Sequence, residues 1–295
     1  MAASPSMPEN RYHVRCISMP SRSHPLALGA EEEITKLRTW ETSSTSSSET
    51  ICIGLGGGLG DLYNCIQDFL QLPLTQQSIA HHRQQKWVEE VLDGSVRLLD
   101  VCGATREILL SIKEQVQALR FALRRRSSLE VNAYIRSRKK AKKEVTKLLG
   151  ALKQMDNKCA PPPLFAQDEL QSIAVKMFRE MRALTISVLR AALTFLSSSR
   201  PRPSKLSLVS KFSHKEPVAC EGVIEQMNEF ENGDVALSAL SLHILDKNAE
   251  IERMQVAQKR LEALDLGIAN VEAGLECVFR RQIQIRVSLL NILSC

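Results

Sequence analysis

From Leu261 to Cys295 the chain places Leu261, Leu264, Ile268, Val271, Leu275 and Val278 in steps of three and four, which puts all six on one stripe of an α-helix. A strand alternates every second residue, so this pattern commits the segment to a helix packed along one face. Ile283, Val287 and Leu290 are expected to prolong the stripe, with Arg280, Arg281 and Arg286 among them as candidate partner-binding cations. Hydrophobic residues make up 44% of the 295 positions and aromatics only 4%, so the core must be aliphatic and rich in good helix formers. The fold expected is all-α: a multi-helix bundle of long antiparallel amphipathic helices with a disordered N-terminal tail.

Residues 1–50 are rich in Ser, Pro and Thr without a sustained apolar period and read as that tail. Up to Ala30 the only acid is Glu9, against Arg11, Arg15 and Arg22, a balance that organelle transit peptides share. Residues 51–196 read as an N-terminal helical block. Residues 197–221, with Pro201, Pro203 and Pro217, read as a linker, and 222–295 as a C-terminal helical hairpin packed with the first block as one domain. The most apolar window, Ala183 to Leu196, is interrupted by Arg190 and falls short of the ~20 residues that span a bilayer, so it is expected to be a buried core helix. No secretory h-region opens the chain and no C-x-x-C pair occurs among the eight cysteines, which points to reduced thiols in an intracellular protein.

Gly54, Gly56, Gly57, Gly58 and Gly60 suggest a phosphate loop, but Leu59 stands where a dinucleotide fingerprint needs Gly, and no Gly-Lys-Ser/Thr follows. The run is therefore expected to be a flexible lead into a helix beginning near Leu59. After Pro73, Thr75 is placed to cap a long helix whose apolar positions include Val88, Val91, Leu92, Leu99, Cys102, Ile108, Ile112, Val116, Leu119 and Leu123, with Gly94 and Gly103 as points of kink or break. Ser127 and Glu130 have capping-box spacing for the next helix, which runs to about Met155.

That helix concentrates the charge. Residues 120–147 hold eleven Lys or Arg and two acids, a net +9 in a chain of net +6, so the remainder is slightly acidic. Arg124, Arg125, Arg126, Arg136, Arg138, Lys139, Lys140, Lys142 and Lys143 are the partner-binding candidates here. An acidic protein surface is the expected partner and an anionic membrane face the alternative. Tyr134 is the sole aromatic between Phe121 and Phe165, so base stacking on nucleic acid has little support. Ser128, after Arg125 and Arg126, is a phosphorylation candidate. An exposed amphipathic face also leaves a homo-oligomer open.

Catalytic chemistry is not signalled. His81 and His82 are adjacent and diverge by about 100° on a helix, so they do not chelate one metal as an i, i+4 pair would. No histidine sits in the context of a known nucleophile motif. No catalytic, cofactor-binding or metal-ligating residue is assigned, and the protein is expected to be non-enzymatic.

Three stretches resemble a known family. His13-Val-Arg-Cys-Ile-Ser-Met-Pro-Ser-Arg-Ser-His-Pro25, Asp61-Leu-Tyr-Asn-Cys-Ile-Gln-Asp-Phe-Leu-Gln-Leu-Pro-Leu-Thr-Gln76 and Gly274-Leu-Glu-Cys-Val-Phe-Arg-Arg-Gln-Ile-Gln-Ile-Arg-Val-Ser-Leu-Leu-Asn-Ile-Leu-Ser294 are similar to the signatures of the plant-specific BYPASS-related proteins. Arg124-Arg-Arg126 and Asn228-Glu-Phe230 fall where that family has similar residues, and Cys16 and Met19 stand where it usually has serine and leucine. Ser18, inside the first signature, is a modification candidate. The resemblance implies an all-helical plant protein without assigned catalysis, associated with root and shoot development through control of a mobile signal.

The expected function is therefore a non-enzymatic regulator or adaptor acting through helical contacts. Its alternatives are a helical enzyme or small-ligand carrier working on a signal precursor, marked by His81 or His82 in a closed cavity, and a nucleic-acid binder using residues 120–147. The expected compartment is the cytoplasm, with nucleus or plastid as alternatives.

Overall fold

In the computed structural model the stripe that begins at Leu261 runs along a single 48-residue helix, and Leu261, Leu264, Ile268, Val271, Leu275 and Val278 are each at most 1% exposed. The structure describes residues 25–43, 47–125, 129–157, 169–198, 227–240 and 247–294. In chain order the helices are α1 (Pro25–Thr42), α2 (Ser48–Cys52), a π-helical segment (Ile53–Leu59), α3 (Gly60–Gln71), α4 (Pro73–His81), α5 (Lys86–Arg124), α6 (Leu129–Asn157), α7 (Glu169–Ser197), α8 (Glu229–Leu240) and α9 (Lys247–Ser294). No strand occurs among the described residues.

Helix α9 is the spine, lying against α2, the π-helical segment, α3, α4, α5 and α8. It runs antiparallel to α5, as cross-helix pairs show: Arg120 with Asp265, Lys113 with Glu272 at 2.7 Å and Arg106 with Glu276 at 2.7 Å. Past Val278 the inward face continues through Gln282, Ile285, Leu289 and Ile292. Ile283, Val287 and Leu290 instead face outward at 41–49% exposure, because Ile283 lies five residues past Val278, about 140° around the helix from the stripe.

Contrary to the expected tail, residues 25–42 form α1, which buries Ala27, Ala30, Ile34 and Leu37. Its Trp40 donates from Nε1 to Thr50 O at 2.9 Å, tying α1 to α2. The glycine run is not a loose lead either. A Cβ at Gly54 would lie 2.6 Å from the Trp40 ring and one at Gly58 would strike Leu37, so glycine here sets how closely α1 lies on the π-helical segment. On the other side, Gly274 and Gly267 of α9 make room for Leu55 and Ser48. Glycine at these two positions of α9 thus marks close helix contacts.

Pro73 occupies the first turn of α4, where its missing N–H costs nothing, and Thr75 is buried in that turn instead of capping a long helix. Helix α5 starts afresh at Lys86 and passes unbroken through Gly94 and Gly103. Its buried face is Leu98, Val101, Cys102, Thr105, Leu109, Ile112, Val116 and Leu119, while Leu99 and Ile108 of the expected face lie at the margin, half-buried.

The apolar window forms the buried part of α7, and Arg190 leaves it toward Asp156 at 3.1 Å. One continuous apolar cluster draws residues from α1 through α9. No described helix is long and apolar enough to cross a membrane.

Asn228 starts α8 through reciprocal bonds with Glu231: the Glu231 N–H donates to Asn228 Oδ1 at 2.9 Å and the Asn228 N–H to Glu231 Oε2 at 3.3 Å. Glu229 reaches back to α2, accepting from Ser48 Oγ at 2.5 Å and from the Ser48 N–H. The Ser127–Glu130 capping box and the proline-containing linker lie outside the residues whose side chains are described.

Candidate functional site

The candidate cations of α6 separate by helical phase. Arg136, Lys139, Lys140 and Lys143 are exposed and make no ion pair among the described residues. Lys147 on the same side pairs with Glu144 at 2.9 Å. Lys142 is half-buried, and burial, reinforced by the nearby Arg138 charge, lowers its ammonium below the ordinary lysine range.

Arg138 is the exception, turned inward and 4% exposed. Its Nη1 donates to Leu196 O at 2.7 Å and its Nη2 to Ser198 O at 3.1 Å, which satisfies carbonyls at the C-terminus of α7. The guanidinium lies over the Phe230 ring, and Phe230 meets Phe195 edge-on at 5.0 Å between centroids. Asp234 stands 3.9 Å away and accepts from the Tyr134 hydroxyl at 3.3 Å. Burial pushes the Asp234 carboxyl above its ordinary range, against the opposing pull of Arg138 and Lys142. Arg138 is thereby removed from the partner-binding set: it joins α6, α7 and α8, and the exposed cations stand on a helix it fixes. Tyr134 is 1% exposed and so presents no ring to a base.

The remaining candidates lie elsewhere. Arg124 and Arg125 are exposed at the C-terminal end of α5, with Arg124 over the exposed Phe121 ring at 5.9 Å. Arg280 pairs with Glu276 at 2.7 Å, and Arg281 donates to Gln284 at 3.4 Å. Arg286 crosses to the other end of α5, donating to Leu92 O at 2.6 Å and Ser95 Oγ at 2.8 Å. Leu92 and Arg124 are separated by thirty-two residues of α5, roughly 48 Å of helical rise, so Arg286 and Arg124 stand at opposite ends of that helix. Arg126, Ser18 and Ser128 lie outside the described residues.

Arg286 instead lines a cleft of about 50 Å³ between α5, α7 and α9, together with Arg179 and Arg182 from α7. Sequence reading missed this cleft, although it carried two signals: Gly94 in the middle of a helix, and Gln282 one step beyond Val278 on an otherwise apolar stripe. His81 and His82 are not among the cleft residues; the His82 ring is engaged with Ser78 O at 2.8 Å. No group of three or more potential metal ligands occurs among the described residues.

Fold and site together define an all-helical bundle that presents a cationic face on a firmly seated helix. The family model described as Protein BPS1 matches residues 57–292, and the chain belongs to this family, the BYPASS family that its motifs resemble. The matched span includes α3 to α8 and nearly all of α9, hence both the basic face and the cleft. No curated protein and no solved structure matches the chain.

Proposed function

We propose that the protein is a non-enzymatic regulator of plant root and shoot development that works as an adaptor, its α6 face docking on an acidic surface of a partner protein. The observation that carries this reading is the set of four exposed cations, Arg136, Lys139, Lys140 and Lys143, unpaired among the described residues on a helix whose opposite side is fixed by Arg138 and Tyr134. A surface charge already neutralised by a neighbour has little to offer a partner; these four retain their full attraction. Rigidity lowers the ordering cost of docking.

The test compares the full chain with a variant carrying Gln at all four positions, binding immobilised polyglutamate, anionic vesicles and duplex DNA under rising salt. Preference for the acidic polypeptide, weakening with salt and lost in the variant, supports the reading. Binding that survives both neutralisation and high salt overturns it. Preference for vesicles or DNA moves the function to a membrane or nucleic-acid contact.

A further inference from the structure

The cleft beside Arg286 has the composition of a binding site. Tyr63, Leu98, Phe178, Met181, Ile285 and Leu289, each no more than 6% exposed, form its apolar floor, drawn from four helices. Trp87 closes one side, stacked on Phe178 at 6.4 Å between centroids and 27° between planes. Gly94 leaves α5 without a side chain at the wall, and the Arg182 guanidinium fills that approach, with Nη1 3.3 Å from where a Cβ would stand.

The polar groups are few, and two are incomplete. Gln282 is 3% exposed; its side chain engages the Tyr63 hydroxyl and, through Nε2, the Cys102 sulfur at 3.7 Å, while its Oε1 is buried with no hydrogen-bond partner. Arg182 uses Nη2 on Met155 O at 2.8 Å while its buried Nε donates to nothing. Orphaned buried polar atoms are rare because each costs a lost hydrogen bond. Here an acceptor and a guanidinium donor, on two residues that line one cavity, are left without partners. The acidic residue in the lining, Glu90, stands 3.6 Å from Lys86, so the arginines dominate the charge at the mouth.

We propose that this cleft binds a small aromatic or alicyclic carboxylic acid. The ring lies on the apolar floor, the carboxylate meets Arg182 and Arg286 at the mouth, and a hydroxyl or N–H of the ligand donates to Gln282 Oε1. A water takes about 10–15 Å³ on this measure of volume, so the cleft holds a few waters or the apolar half of such a molecule, with the acid end in the open mouth. Planar guanidinium suits a carboxylate because it donates two parallel hydrogen bonds.

The test uses the full chain with 3-phenylpropionate, 3-phenylpropanol and 3-phenylpropylamine, read by equilibrium dialysis and by tryptophan fluorescence, to which Trp40 adds a background outside the cleft lining. The acid is expected to bind at one site per chain, at least about tenfold tighter than the alcohol, with no saturable binding of the amine. Arg286→Gln, which can still donate to Leu92 O, and Arg182→Gln are each expected to erase the preference for acid over alcohol while leaving alcohol binding in place. Equal affinity for the three compounds, or no saturable binding of the acid at millimolar concentration, overturns the proposal. That comparison needs only the unaltered protein, so it stands even where a variant fails to fold.

Discussion

The guanidinium carbon of Arg138 lies 4.1 Å from the centre of the Phe230 ring, and this contact joins the helix bearing the exposed cations to the Asn228-Glu-Phe230 motif. The motif caps one helix and makes two junctions: Asn228 caps α8, Glu229 bonds Ser48 of α2, and Phe230 receives Arg138 of α6. Its residues therefore serve the joining of α2, α6 and α8, and the basic face depends on that joining for its position.

Replacing Arg138 with Met leaves the Leu196 and Ser198 carbonyls without their donor and Asp234 with Lys142 in place of its nearer cation. The expected cost is about 2–3 kcal/mol in urea unfolding, the range for removing charged hydrogen bonds at a buried site. Lys139→Met, on the exposed face next to it, should change stability by no more than about 0.5 kcal/mol. Equal effects at the two positions would show that Arg138 is solvated in solution.

The glycine run should respond position by position. Gly54→Ala and Gly58→Ala are expected to destabilise by about 1–3 kcal/mol, because the new methyl meets Trp40 or Leu37. At Gly56 and Gly57 an added methyl would find nothing within 4 Å, so alanine there should be neutral or stabilising by up to about 1 kcal/mol. Thermal melts of the four variants separate close packing from a general need for flexibility.

Burial pushes the Cys102 thiol from 9.0 up to about 12, and burial also raises the Tyr63 and Tyr134 phenols. Each group holds its proton more tightly folded than unfolded. The stability tied to Cys102 is therefore complete below its ordinary value of 9.0 and is lost as pH climbs toward about 12. The urea midpoint should stay level with respect to this group up to about pH 9 and then fall, with a shallower slope in Cys102→Ala. Parallel slopes would mean that the thiol is solvated.

The Ser48–Glu229 contact should appear as a coupling energy. A double-mutant cycle of Ser48→Ala and Glu229→Ala is expected to give about 1.5 kcal/mol, from the bond that the Ser48 hydroxyl donates to the carboxylate; the backbone N–H bond survives Ser48→Ala and cancels. Coupling near zero would place α2 free of α8.

Periodicity made the helices legible wherever an apolar stripe was long, as at Leu261 to Val278 and in α7. It failed where the signal was of another kind. Helix α1 offers only four buried residues, Ala27, Ala30, Ile34 and Leu37, amid a composition that suggests disorder. The glycines of the π-helical segment look like a loop because sequence cannot reveal that Trp40 and Leu37 come to lie against them. The charge of Arg138 hid its burial: only a heptad-like count from Tyr134 through Arg138 and Ala141 to Val145, all buried, places it on the inner face. Gln282 likewise occupied the next stripe position, where the eye passes to the apolar Ile283.

Helix α9 is the last described element to be synthesised, yet it supplies the wall against which α2, α3, α4, α5 and α8 rest. As the polypeptide emerges, the earlier helices can pair among themselves but must leave an apolar trough open along their joint surface. That trough closes only after the residues up to Ile292 have left the ribosome. Newly made protein is thus exposed to aggregation and to chaperone capture through most of its synthesis, and an early stop codon before α9 would yield a product that these partners retain instead of a smaller working protein.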